Sequence, residues 1–148
     1  MPWFEGTHTE TRPLSADAAT VIAHLHDTQK LIAATKGVEE ATVEDGVVHF
    51  VMEEEDHGVV KFKGDFRCRY EATADGLIWT SLEGGNLDQS GSATVVAKGD
   101  GCELHYTETV RIDLGVPKMM APMLKPVIGP MMAMEVKDFV KRLTAPLQ

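Results

Sequence analysis

Cysteine is scarce in this chain, with only Cys68 and Cys102 among 148 residues. Two thiols cannot build a disulfide framework, and neither has the paired spacing of a zinc site, so both are expected as small buried hydrophobes. Basic side chains are also few. Lys and Arg number 14 against 23 Asp and Glu, a formal net charge of -9. That balance argues against a nucleic-acid partner, because such binding neutralises phosphates with clustered cations. Glu5, His8, Glu10 and Arg12 interrupt the start of the chain, so the apolar core of a signal peptide is missing there and a cytoplasmic protein is expected. Repeats, low-complexity tracts and interdomain linkers are lacking too, and residues 1–148 read as one domain. At 43% hydrophobic and 25% charged, it has ordinary globular composition and length enough to bury roughly two thirds of its unfolded surface.

What is present is clearest at residues 59–73. Val60, Phe62, Phe66, Cys68 and Tyr70 alternate with Lys61, Lys63, Asp65, Arg67, Arg69 and Glu71. A period of two marks a strand with one wet face and one apolar, aromatic face. The inner face needs a cover, and the methionine-rich apolar segment at residues 116–143 is its expected source.

Around that strand, residues 3–12 predict a first strand ended by Pro13, which has no N–H for a ladder. Ser15 is the expected helix N-cap, with Asp17 as an acid in the first turn. Ala18, Val21, Ile22 and Leu25 follow as one helical stripe, leaving Thr20, His24 and Asp27 outside it. A second short helix is expected at residues 27–35, before Gly37. From Val38 the pattern alternates. Turn signals at Asp45-Gly46, Asp56-His57-Gly58, Asp75-Gly76, Gly84-Gly85-Asn86 and Gly99-Asp100-Gly101 divide it into strands at residues 39–43, 47–55, 59–73, 77–83, 90–98 and 102–113. Connections this short make neighbouring strands antiparallel.

Near the C-terminus, Met132, Val136, Phe139, Val140 and Leu143 recur at helical spacing opposite Glu135, Lys137, Asp138, Lys141 and Arg142. Pro122, Pro126 and Pro130 fall four apart ahead of this stripe. An interior proline costs a helix about 3 kcal/mol, so a kink or break is expected at residues 121–129, with Pro130 opening the second part.

This order of elements resembles the helix-grip superfamily of START lipid-transfer domains, birch-pollen allergens and polyketide cyclases, also called SRPBCC proteins. Ser15 to Asp27 looks like that family's first helix, and Lys36-Gly37-Val38-Glu39 is similar to its Pro-Gly-Val-Glu turn with Lys in place of Pro. The glycine-containing strand at residues 87–96 and the closing Asp138-Phe139-Val140 helix resemble the carbon monoxide dehydrogenase G-type proteins. The resemblance implies an α+β fold in which a curved antiparallel sheet of six or seven strands wraps a long C-terminal helix, with two short helices after the first strand. It also implies an internal cavity for a lipid, quinone, polyketide or similar apolar molecule.

Alternation then assigns an inward set: Val60, Phe62, Phe66 and Tyr70; Ile78, Thr80 and Leu82; Val95; and Leu104, Tyr106, Val110 and Ile112. Met120, Leu124, Ile128 and Met132 complete it from the C-terminal segment. These side chains either fill a solid core or surround a ligand, and the resemblance favours the ligand. Glu108 falls in the same inward register, so its carboxylate must be partnered, protonated or facing water unless a bulge turns it out. With the first strand beside the last, His8 or Glu10 is brought near it. Glu108, Tyr106 and His8 are the candidate anchors for the polar end of an apolar ligand.

The histidines form no paired metal motif and read as surface residues, and the acids at residues 53–56 read as a solvated turn. No nucleophile, metal or cofactor signature is present, so a non-enzymatic binding protein is preferred to a cyclase or dehydratase using Glu108. Residues 116–134 hold only Lys118 and Lys125 as charges, and four prolines argue against a membrane span there. The segment suits a lid, or a patch for a membrane or a partner such as a redox enzyme.

Overall fold

The alternating segments pair into one seven-stranded sheet of order β1-β7-β6-β5-β4-β3-β2, every neighbour antiparallel. The strands are β1 (Trp3–Leu14), β2 (Val38–Glu44), β3 (Val47–Asp56), β4 (Lys61–Thr73), β5 (Gly76–Ser81), β6 (Leu87–Lys98) and β7 (Gly101–Asp113). Helices α1 (Ala18–His26) and α2 (Thr28–Ala34) follow β1, and α3 (Ala121–Thr144) ends the chain. This computed structural model describes residues 3–56, 58 and 60–148. His57 and Val59, expected in a turn and at the start of β4, lie outside the described residues. The α+β helix-grip architecture expected from the sequence is the one observed.

Three local expectations are corrected. β1 runs through Pro13 to Leu14, because it is an edge strand bonded only to β7 and an edge tolerates a residue without N–H. The cap of α1 is Asp17 rather than Ser15: its carboxylate accepts the Thr20 N–H at 2.8 Å. Asp27 does the same for α2, accepting from the Gln29 N–H at 3.0 Å.

The third correction concerns the break expected in α3, which instead continues as one helix through Pro126 and Pro130. Ile128, Met132, Val136 and Val140 bury one face of it against the sheet. Full burial of a side chain this size contributes about 1.5–3 kcal/mol, so the packed face offsets interior prolines at about 3 kcal/mol each. Helix and sheet meet most closely at β1, where a Cβ on Gly6 would lie 2.5 Å from the Gly129 carbonyl oxygen.

Two apolar clusters hold α3 to the sheet. The larger joins Val21, Leu25, Val48, Leu104, Val140 and Leu143; the smaller joins Phe4, Val60, Ile112, Ile128 and Met132. Cys68 and Cys102 are buried free thiols.

Candidate functional site

Members of both clusters border a cavity of about 550 Å³ between α3 and the inner face of the sheet. Phe62, Phe66 and Tyr70 of β4 and Tyr106, Glu108, Val110 and Ile112 of β7 line it as alternation assigned them, and so do Ile128 and Met132, expected from the C-terminal segment and carried by α3. Leu87, Gln89 and Ala93 of β6, and Met131, Val136 and Phe139 of α3, also line it and lie outside the expected set.

β5 faces the other way from the sequence reading. Ile78 and Thr80 are exposed on the outer face, while Leu77 and Trp79 are buried and line the cavity. The turn is responsible. Thr73 pairs with Gly76, which sets Tyr70 opposite Trp79 and Ala72 opposite Leu77. Paired residues share a face, so even positions on β4 match odd positions on β5. Leu82 lies beyond the end of β5, half-buried and outside the lining.

The remaining expected residues pack elsewhere. Val95 and Leu104 belong to the larger cluster, where α1 covers the sheet directly. Val60 is buried in the smaller cluster, and Met120 and Leu124 pack against it.

Glu108 is inward and 5% exposed, with no bulge at its position: it stands in continuous register between Gly91 and His8. Its carboxylate accepts the Trp79 Nε1–H at 3.0 Å and the Tyr106 hydroxyl at 2.8 Å. Burial pushes this carboxyl up to about 7, opposed by the hydrogen bonds from Tyr106 and Trp79. Burial and then the Glu108 charge raise the Tyr106 phenol well above its ordinary value. Burial also raises the Cys68 thiol to about 11, so it stays protonated and unreactive.

Rings extend from this point in both directions. Trp79 lies 5.3 Å from Tyr106 and 6.4 Å from Tyr70, and Tyr106 lies 6.5 Å from Phe139 of α3. Gln89 donates its side-chain N–H to the Tyr70 hydroxyl at 2.9 Å. A Cβ at Gly91 would collide with the Thr107 carbonyl oxygen and lie 2.6 Å from the Trp79 ring, so the glycine makes room for both the β7 backbone and the indole over β6. Neither Trp79 nor Gly91 stands out in the sequence, because their importance depends on pairing across three strands.

His8 sits opposite Glu108 yet bonds elsewhere. Its Nε2 meets Glu10 at 2.9 Å, and Glu10 also accepts the Arg12 Nε–H at 2.8 Å. The inner row of β1 therefore satisfies itself, and the expected approach of His8 or Glu10 to Glu108 reaches only to strand pairing. Two other histidines fasten helices: His24 Nε2 lies 2.8 Å from the Leu143 carbonyl oxygen, and His26 Nε2 lies 2.8 Å from that of Gly76. Among the described residues no group could hold a metal ion.

Exposed residues mark the opening. Lys36, Glu53, Glu54 and Glu55, with Glu135, Asp138 and Arg142 of α3, all line the cavity while remaining exposed. The β3–β4 register slips between Val51 and Glu54, and beyond this bulge Glu55 stands opposite inward-facing Phe62. The acidic run expected as a solvated turn is thus also part of the rim. Beside it, the Arg142 Nε–H donates to the Ala34 carbonyl at 2.8 Å and ties α3 to α2.

No family model matches the chain, and no curated protein matches it. Solved structures do. A protein from Thermus thermophilus is 16% identical with a TM-score of 0.65, over 99% of this chain and 97% of that one. A START superfamily protein from Mycobacterium smegmatis is 16% identical with a TM-score of 0.64, over 95% and 96%. The Zhui aromatase/cyclase from Streptomyces sp. R1128 is 12% identical with a TM-score of 0.63, over 99% and 94%. At these identities the likeness is one of fold, and this chain has the helix-grip fold that START-like and aromatase/cyclase proteins share.

Proposed function

We propose that the protein binds and carries a small hydrophobic or amphipathic molecule, of the lipid, quinone or polyketide kind, between its sheet and α3. The observation that carries this reading is the cavity of about 550 Å³, walled by aromatic and aliphatic side chains around one buried carboxyl. Small-molecule sites occupy about 300–1,000 Å³ and combine apolar walls with a few convergent polar groups. Burying apolar ligand surface contributes roughly 25 cal/mol per Å², and Glu108 with Tyr106 orients the polar end. The START superfamily and aromatase/cyclase structures of the same fold accord with this reading. Native mass spectrometry of the protein from its own host tests it. A retained small-molecule mass is expected; protein that carries none and also fails to bind the neutral dye Nile red overturns the proposal.

A second reading is a cyclase- or dehydratase-type enzyme with Glu108 as acid or base. It is favoured by a cavity carboxyl raised to about 7 and bonded to Tyr106. Turnover abolished by Glu108→Ala selects this reading over simple carriage.

Carriage is also compatible with docking at an anionic membrane surface through residues 116–134. Met119 is 85% exposed there, Met123 and Val127 are exposed beside it, and Lys118 and Lys125 are the segment's only charges in a chain of net charge -9. Apolar side chains flanked by cations suit an anionic bilayer. The resemblance of residues 87–96 and of the closing helix to carbon monoxide dehydrogenase G-type proteins accords with a carrier that visits a membrane-associated redox enzyme. No helix among the described residues is long and apolar enough to cross a membrane.

A further inference from the structure

The charges around the cavity are unevenly placed. Among the described residues its interior holds one ionisable carboxyl, Glu108, and no cation; Lys36 and Arg142, the lining cations, are both exposed at the opening. They share that opening with Glu53, Glu54, Glu135 and Asp138. A ligand carboxylate pushed inward would lie beside Glu108 with no counter-charge, and one left at the opening would face a rim richer in acids than in bases. Both arrangements are costly, the first more so because burial leaves little water to screen the charges.

Glu108 itself has capacity to spare. An ionised carboxylate offers about four acceptor sites, and the Trp79 N–H and the Tyr106 O–H fill two of them. Above about pH 7, where Glu108 is ionised and both neighbours donate to it, the group left for a guest to meet is an acceptor. A third donor would stabilise the ionised form further, at the end of an otherwise apolar, aromatic wall.

From the carrier reading on which this step rests, we infer that the ligand presents a hydrogen-bond donor to Glu108 and carries no anionic group. The ligand class is therefore a neutral or cationic aromatic or alicyclic molecule with a hydroxyl or amine, and fatty acids and phosphate esters are rejected.

Three naphthalenes with one shared apolar body test the inference by displacing Nile red at about pH 8: 2-naphthol as a donor, 2-methoxynaphthalene as an acceptor only, and 2-naphthoate as an anion. A charge-assisted hydrogen bond predicts 2-naphthol tighter than 2-methoxynaphthalene by about tenfold, with 2-naphthoate weakest. In Glu108→Gln, a neutral acceptor replaces the charged one, and the naphthol-to-methoxynaphthalene ratio is expected to fall to about threefold or less. Naphthoate binding as tightly as naphthol overturns the inference, as does an equal affinity for the other two or a ratio unchanged in the variant. In each of those cases Nile red still binds and carriage survives; if neither Nile red nor any naphthalene binds, the inference and the carrier reading fall together.

Discussion

Trp79 and Glu108 lie on strands that do not pair, yet a hydrogen bond of 3.0 Å joins them across β6. Gly91 pairs with both residues and has no side chain to stand between them. The geometry of the site therefore depends on a residue that contributes no functional group of its own.

Substituting Gly91→Ala places a methyl group against the Thr107 carbonyl oxygen of β7 and against the indole ring. Overpacking of this kind costs about 1–3 kcal/mol, read as a lower denaturant midpoint. In a Trp79→Leu background the same substitution is expected to cost less, since part of the clash has been removed. A loss of equal size in both backgrounds would show that the ring is not what Gly91 accommodates.

Glu108 makes stability depend on pH. Its carboxyl titrates at about 7 when folded, against an ordinary value of 4.5. Between those values the folded state keeps a proton that the unfolded state has lost, so stability falls as pH rises through the window and levels off above 7. The total change is roughly 3 kcal/mol at most. Denaturant unfolding of wild type and Glu108→Gln across this range isolates the effect, because the amide does not titrate; a constant difference between them contradicts it.

Both hydrogen bonds to Glu108 favour its ionised form, that from Tyr106 more than that from Trp79. Tyr106→Phe and Trp79→Phe are each expected to raise its titration midpoint by about one unit, with the tyrosine variant higher. Carbon-13 NMR titration of the glutamate carboxyl reads this directly. A midpoint unchanged in both variants would mean that the donors do not stabilise the charge.

Filling the void should abolish binding without unfolding the protein. Val110 lines the cavity from β7 and is only partly buried, so Val110→Trp has room to place its ring in the ligand space. Nile red affinity is expected to drop by about tenfold or more, equivalent to about 1.4 kcal/mol, with a melting temperature near wild type. Undiminished dye binding would place the dye elsewhere.

The exposed residues at the start of α3 and in the turn at residues 118–120 before it give a separate expectation. Replacing Met119 and Met123 by Ser should weaken flotation with anionic vesicles severalfold, and Lys118→Glu with Lys125→Glu should remove the dependence on anionic lipid, since each nearby cation contributes about 1 kcal/mol. Wild-type protein that does not float with such vesicles would end the docking reading.

Much of the fold is written in local periodicity. The alternation of Phe62, Phe66 and Tyr70, and of Tyr106, Glu108 and Val110, is a property of each strand's own geometry, so their inward direction was legible before any pairing was known. The stripe from Met132 to Leu143 is legible for the same reason. Glu108 was conspicuous because it interrupts an apolar series.

Other features depend on partners distant in sequence. Both alternations of β5 contain apolar residues, and only the register set by Thr73 and Gly76 turns Trp79 inward and Ile78 outward. The bulge after Val51 carries the acidic run to the cavity rim, and packing on the sheet keeps α3 continuous through its prolines. By itself, then, the sequence determined the elements, their amphipathic faces and a carboxyl aimed inward, because those follow from bond geometry within a few residues. Only the tertiary structure decided that Trp79 meets Glu108 over Gly91 and that a void remains beneath α3, because strand register and the gap between packed surfaces are set by contacts between distant parts of the chain.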